Sequence, residues 1–170
     1  MDRGHYGTHA LTVAQHPSEN DERLMVRLLA YALHAAGDDA EPLAFANAMT
    51  EMDEPDLWRR DLTGAIMLWI DVGLPDEKWL RKASRRAREL VLYVYGRNGD
   101  VWWGQQRAAL GKLANLRVRQ VSAEDSAALA GLAQRSMRLQ CTVQDGHVWL
   151  GDGERAIGFD LMELQEPTGR

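Results

Sequence analysis

The 170-residue chain contains one cysteine, Cys141. A single thiol excludes an intrachain disulfide framework and any zinc site built on several cysteines. The five histidines (His5, His9, His16, His34 and His147) show neither HxH nor HExxH spacing, which argues against a histidine-based zinc centre. Long apolar runs are also missing. No segment approaches the roughly 18 residues that a membrane-spanning helix needs. The opening residues Met1-Asp2-Arg3-Gly4-His5 carry no apolar signal core. These absences predict a cytoplasmic protein with no membrane partner. Positive charge is in deficit, with 20 Lys and Arg against 25 Asp and Glu for a net of −5. That excludes a globally basic, histone-like nucleic-acid binder. Neither a glycine-rich phosphate loop nor a GxSxG elbow is present.

What remains is a chain of one domain's length, predicted here as a single domain over 1–170. Its hydrophobic fraction of 45% is enough for a sizeable core. Leu11-Thr12-Val13 alternates as a short strand would. A first helix is expected from an N-cap at Ser18, with Asp21 at N3, to about Gly37. Its apolar stripe is Leu24, Met25, Leu28, Leu29, Ala32 and Ala36. Leu43-Ala44-Phe45 reads as a short strand. Ala65 to Ile70 and Leu90 to Tyr95 are unbroken apolar runs between turn residues, the pattern of strands buried on both faces. A helix opened by Pro75-Asp76-Glu77 and running to about Arg88 lies between them. A helix over 101–113, an alternating strand over 116–121 and a helix over 123–134 follow. Two alternating segments, Met137–Val143 and His147–Leu150, flank Asp145-Gly146, a strong hairpin signal. A further strand is expected near Ile157-Gly158-Phe159. The order predicts an α/β fold with a mixed central sheet flanked by helices and a C-terminal antiparallel meander. Of Trp102-Trp103, one is assigned to the core, and the other to the core in preference to a stacking platform.

Four places can carry chemistry. Asp71 ends a doubly buried strand, where ligands of α/β sheets bind; a turn cap is the structural alternative. Asp53, Glu54 and Asp56 form an acidic segment close enough to that strand to pair with it, and hard cations such as Mg²⁺ take carboxylates from convergent elements. On the first helix, at 100° per residue, Glu22 lies about 85° from the centre of the apolar stripe and Glu19 about 145° away. Glu22 therefore borders the core, whereas Glu19 is read as a solvent-facing partner of Arg23. The fourth place is the helix after Asp71. Residues 76–88 hold six cations and two acids, a local net of +4. Lys78, Arg81, Lys82 and Arg85 share one helix face, which suits phosphate groups.

Several ordered segments together resemble the YaeQ family of bacterial proteins. They are His16-Pro17-Ser18-Glu19 with Glu22-Arg23 and Arg27-Leu28-Leu29; Asp53-Glu54-Pro55 with Trp58; Leu68 through Glu77; and Arg81-Lys82-Ala83. Trp102-Trp103 with Gln105, Ser136 through Gln140 with Gln144-Asp145-Gly146, and Val148-Trp149-Leu150 complete the set. The resemblance spans about residues 2–160. It implies a restriction-endonuclease-like core of the PD-(D/E)xK superfamily. There a helix glutamate, an acid near the second strand and an acid on the third strand hold Mg²⁺, and a lysine helps position water. By this resemblance the metal ligands are Asp71, one of Asp53, Glu54 and Asp56, and Glu22 or Glu19. Gly73 stands where the superfamily has its lysine, so Lys82 becomes the candidate base, and Asp71 and Lys82 the candidate catalytic pair. Met67, Gly104 and Ala109 stand where the family tends to be acidic or to carry a lysine. The family also begins with a strand upstream of the position of Met1, so either that strand is lacking or the start lies further upstream. The implied function is Mg²⁺-dependent binding or hydrolysis of nucleic acid. The alternative is a catalytically inactive nucleic-acid-binding or protein-interaction module on an eroded nuclease fold.

Overall fold

The structure, a computed structural model, describes Gln15 and residues 19–35, 41–46 and 54–168. The expected strand at Leu11–Val13, the Ser18 cap, the helix end at Gly37 and Asp53 lie outside these residues. Helix α1 (Asp21–His34) is capped by Asn20, whose side chain accepts the Arg23 N–H at 2.8 Å. Strands β1 (Ala44–Phe45), β2 (Leu57–Arg60) and β3 (Ile66–Val72) pair antiparallel in sequence. Helix α2 (Glu77–Arg86) crosses to β4 (Ala87–Tyr95), which lies parallel to β3. Helix α3 (Gly99–Leu110) then leads to β5 (Leu116–Val121), parallel to β4. After α4 (Ala123–Ala130), strands β6 (Gln140–Gln144), β7 (His147–Gly151) and β8 (Ala156–Asp160) form a separate antiparallel sheet. The last strand, β9 (Met162–Gln165), returns to pair antiparallel with β5. The large sheet thus has the order β1-β2-β3-β4-β5-β9.

The period-2 alternation of strands explains the layers. Leu68, Ile70 and Val72 of β3 point to one face and pack with Val26 and Ala30 of α1. Trp69 points to the other face, where it meets Leu80 and Ala83 of α2. Both faces are covered, which is why β3 and β4 read as continuous apolar runs. Helix α1 is itself buried on two sides. Its Met25 and Leu29 pack with Leu129 of α4 and with Cys141, Val148, Leu150 and Phe159 from the inner face of the small sheet. Trp102 and Trp103 pack against the α2-side core. The Asp145-Gly146 hairpin forms as expected, with φ of 53° and 81°, the pair of positive angles a two-residue type I′ turn requires.

Several boundaries differ from expectation. Helix α2 ends at Arg86 and β4 begins at the next residue, without a loop. Helix α3 starts at Gly99 and ends at Leu110, and α4 ends at Ala130 ahead of Gly131. Strands β2 and β9 were not anticipated from the sequence. Leu57-Trp58-Arg59-Arg60 lacks a clean hydrophobic alternation, and Met162–Gln165 is a short, largely polar edge strand. Among the described residues no helix is long and apolar enough to cross a membrane.

Candidate functional site

The carboxyl end of β3 brings together two of the acids singled out by the sequence, Asp71 and Asp56. Asp71 is the penultimate residue of β3 and is buried. It shares a strand face with Trp69, whose indole N–H donates to Asp71 Oδ2 at 2.9 Å. Trp79, in the first turn of α2, donates to the same oxygen at 2.7 Å. The backbone N–H of Asp56 donates to Oδ1 at 3.3 Å. Burial raises the Asp71 pKa from 3.8 to about 6, and the neighbouring Asp56 charge adds to the rise. The two indoles and the Asp56 N–H oppose it without prevailing.

Asp56 sits just before β2 and is also buried. One carboxylate oxygen accepts the Val72 N–H at 2.8 Å, and the other accepts from the Arg23 guanidinium of α1. Burial is the largest influence on Asp56 and raises its pKa, outweighing the guanidinium. Arg23 also donates to the Val72 carbonyl at 3.0 Å. It therefore ties α1 to the end of β3 and to the start of β2. Gly73 follows with φ of 109°. A lysine at that position would be held in a backbone region that side chains avoid. The turn into α2 therefore does not accommodate a lysine at position 73.

Glu19 corrects the helix-face reading. It precedes α1 rather than lying on it, and its side chain is fully enclosed. Arg27 grips it through two contacts, Nε to Oε2 at 2.7 Å and Nη2 to Oε1 at 2.6 Å. Its pairing with Arg23, at 3.4 Å, is a buried contact and not a surface one. Glu22 is half-buried and accepts from the Ser126 hydroxyl of α4. It lines an open cavity of about 430 Å³ with Arg97, Asn98, Ala123 and Ala127. Glu54 is half-buried ahead of β2.

The structure brings Asp56 and Asp71 together, while the Glu22 carboxylate accepts from Ser126. The Asp71 carboxylate lies on the α2 side of the sheet, whereas α1, which carries Glu22, packs on the opposite side. Among the described residues no group of three or more His, Cys, Asp or Glu is arranged to hold a metal ion. Sequence reasoning missed Arg23, Trp69 and Trp79 as partners of the acids. The Trp69-x-Asp71 spacing was a usable signal for the indole bond, because residues two apart share a strand face. Nothing local signals the Arg23–Asp56 pair, which joins residues 33 apart in sequence.

The cations of α2 lie where the helix face predicted. Leu80 and Ala83 are its buried residues. Lys78, Arg81, Lys82, Arg85 and Arg86 are all exposed. Arg81 pairs with Glu77 at 3.2 Å, a half-exposed i,i+4 contact of small energetic weight.

Comparison with known proteins gives a consistent result. The family model described as YaeQ protein matches residues 1–161. The proteins named "Uncharacterized protein YaeQ" of Escherichia coli (strain K12) and of Salmonella typhi are each 38% identical over 169 residues, covering 99% of this chain and 91% of theirs. The crystal structure of YaeQ protein from Xanthomonas axonopodis pv. citri superposes with a TM-score of 0.88 at 47% identity, over 96% of this chain and 90% of that one. The YaeQ protein from Pseudomonas syringae gives 0.83 at 33% identity, over 94% and 86%. With its sequence matched over nearly its whole length and its mixed sheet shared with solved members, this chain belongs to the YaeQ family.

Proposed function

We propose that this chain is a nucleic-acid-binding module on a nuclease-like fold, with α2 as its phosphodiester contact. The observation that carries the reading is the exposed cation row of α2. Residues 76–88 hold a local net of +4 inside a chain of net −5. Such segregation creates a local positive field that a polyanion can find. The order of the acids supports the resemblance to the PD-(D/E)xK superfamily: Glu22 on α1, Asp56 next to the second strand and Asp71 on the third.

A second reading, Mg²⁺-dependent hydrolysis, is favoured by the contact between Asp56 and Asp71. A divalent cation wants carboxylate oxygens with free lone pairs and room for water. Here Asp71 Oδ2 already accepts two indole N–H groups, and the Asp56 oxygens are engaged by Arg23 and Val72. Arranged in this way the donor set does not fit Mg²⁺.

Titration of fluorescent single- and double-stranded oligonucleotides in EDTA tests the proposal. Binding is expected, and Lys82→Ala/Arg85→Ala is expected to weaken it at least tenfold. Calorimetry with Mg²⁺ or Mn²⁺ on the wild type and on Asp71→Ala and Asp71→Asn tests the second reading. Metal-dependent cleavage abolished in both Asp71 variants would replace the proposal with the hydrolytic one.

A further inference from the structure

The sheet face beside α2 continues the basic surface with a set of aromatic rings. Trp58 and Trp69 are register partners on β2 and β3, with ring centroids 6.4 Å apart in an edge-to-face arrangement. Trp79 of α2 meets Trp69 at 5.8 Å. An arginine lies over each strand tryptophan. The Arg60 guanidinium carbon is 4.3 Å from the Trp58 ring centre, and that of Arg86 is 4.9 Å from the Trp69 ring centre. Trp69 is buried and its indole N–H is committed to Asp71. Trp58 is half-buried, and both arginines are exposed.

This arrangement has chemical consequences. A guanidinium over an indole is attracted by the ring's negative face and is held with less rotamer freedom than a free arginine. A guanidinium carries five N–H donors, and phosphate is the acceptor its fork matches best. Arg86 belongs to the last turn of α2, and Arg60 ends β2. The two therefore carry the helix's cation row sideways onto the β2–β3 hairpin. The neighbouring Arg59 points to the opposite face, where it donates to the carbonyls of Glu41 and His34. The alternation of β2 thus sends one arginine into structure and leaves the next one on the α2 side.

We propose that Arg60 and Arg86 contact two phosphates of a nucleic-acid strand, which runs along α2 and continues over the Trp58–Trp69 pair of the β2–β3 hairpin. The proposal rests on the reading of α2 as a phosphodiester-binding surface. Charge complementarity selects this occupant. Two exposed guanidinia held over rings on adjacent strands, next to a helix row of cations, match a chain of regularly spaced anions.

The test uses the full chain, a labelled 20-nucleotide oligothymidylate and EDTA-containing buffer over a range of salt. The variants are Arg60→Gln, Arg86→Gln and their combination, with Lys82→Ala/Arg85→Ala as the helix reference. Each lost phosphate contact lowers the slope of log K against log[salt] by about 0.7 on a single strand, which weakens binding about fivefold near 0.1 M salt. The two single variants are expected to show that loss, and their combination about twice that loss on the logarithmic scale. Arg60→Lys keeps the charge and is expected to restore the salt slope. Wild-type slope and affinity in both single variants, with affinity lost in the Lys82/Arg85 variant, would overturn this proposal and leave the α2 reading standing. Absence of binding to this strand by the wild type would overturn this proposal, and absence of binding to duplex DNA as well would overturn both.

Discussion

Replacing Asp71 by asparagine tests the electrostatics of the buried acid pair. In the folded protein the Asp71 pKa is raised from 3.8 to about 6, chiefly by burial and then by the Asp56 charge. The folded state therefore binds more protons than the unfolded chain between those values. Its contribution to stability is fully present below about pH 4 and is lost as pH rises through 6. The gap between 3.8 and about 6 corresponds to about 3 kcal/mol. Asparagine is neutral at every pH, and its carbonyl can still accept the indole N–H groups. Stability of the wild type minus that of Asp71→Asn is thus expected to fall by about 3 kcal/mol between pH 4 and pH 7. Urea unfolding of both proteins at half-unit steps measures it, and the subtraction cancels other carboxylates. A flat difference would refute the reasoning. A difference that grows with pH would show that the indoles and the Asp56 N–H outweigh burial.

Three further outcomes follow from other parts of the fold. His34 is half-buried against the Tyr93 hydroxyl at 2.6 Å, and desolvation, with Arg119, Arg59 and Arg117 nearby, lowers its pKa from 6.5 to about 3. Its stabilising contribution is present above pH 6.5 and is lost as pH falls from there towards 3. His34→Gln should therefore narrow the acid loss by about 2 kcal/mol at pH 5, read from unfolding at several pH values. Glu19→Ala leaves the buried Arg27 guanidinium without its carboxylate and should cost about 3–5 kcal/mol, measured by denaturant titration. The two glycine substitutions separate helix propensity from close packing. Gly104→Ala, on α3 with open space at the added Cβ, should stabilise by about 0.5–1 kcal/mol. Gly151→Ala, whose Cβ would lie 2.8 Å from the Arg155 carbonyl, should destabilise by about 1–3 kcal/mol, both variants being read by denaturant titration.

Much of the architecture was legible because it rests on local pattern. The runs Ala65–Ile70 and Leu90–Tyr95 advertise two-sided burial. Asp145-Gly146 supplies the positive φ of its hairpin, and the cation row of α2 follows from spacing on one helix. The parts that were not legible depend on distant partners. Strand β2 is held by its register with β3 and by the Trp58–Trp69 contact, and β9 is fixed where Glu163 meets Arg117 and Arg119 of β5. Glu19 read as a surface residue because its partner Arg27 becomes buried only when α1 packs. For the site, spacing placed the acidic segment that holds Asp53, Glu54 and Asp56 beside the Asp71 strand, without singling out Asp56. It did not reveal that Arg23, Trp69 and Trp79 occupy the Asp56 and Asp71 oxygens, since only tertiary packing brings Arg23 and Trp79 there.

The central claim is that α2 binds nucleic acid without a metal ion. The most direct measurement is the affinity of the wild type for a labelled oligonucleotide in EDTA across a series of salt concentrations. The account predicts binding that weakens steeply with salt, with a log–log slope reflecting several phosphate contacts, and a smaller slope in Lys82→Ala/Arg85→Ala. Binding that appears only when Mg²⁺ is added, or that is indifferent to salt and to the α2 cations, would contradict it.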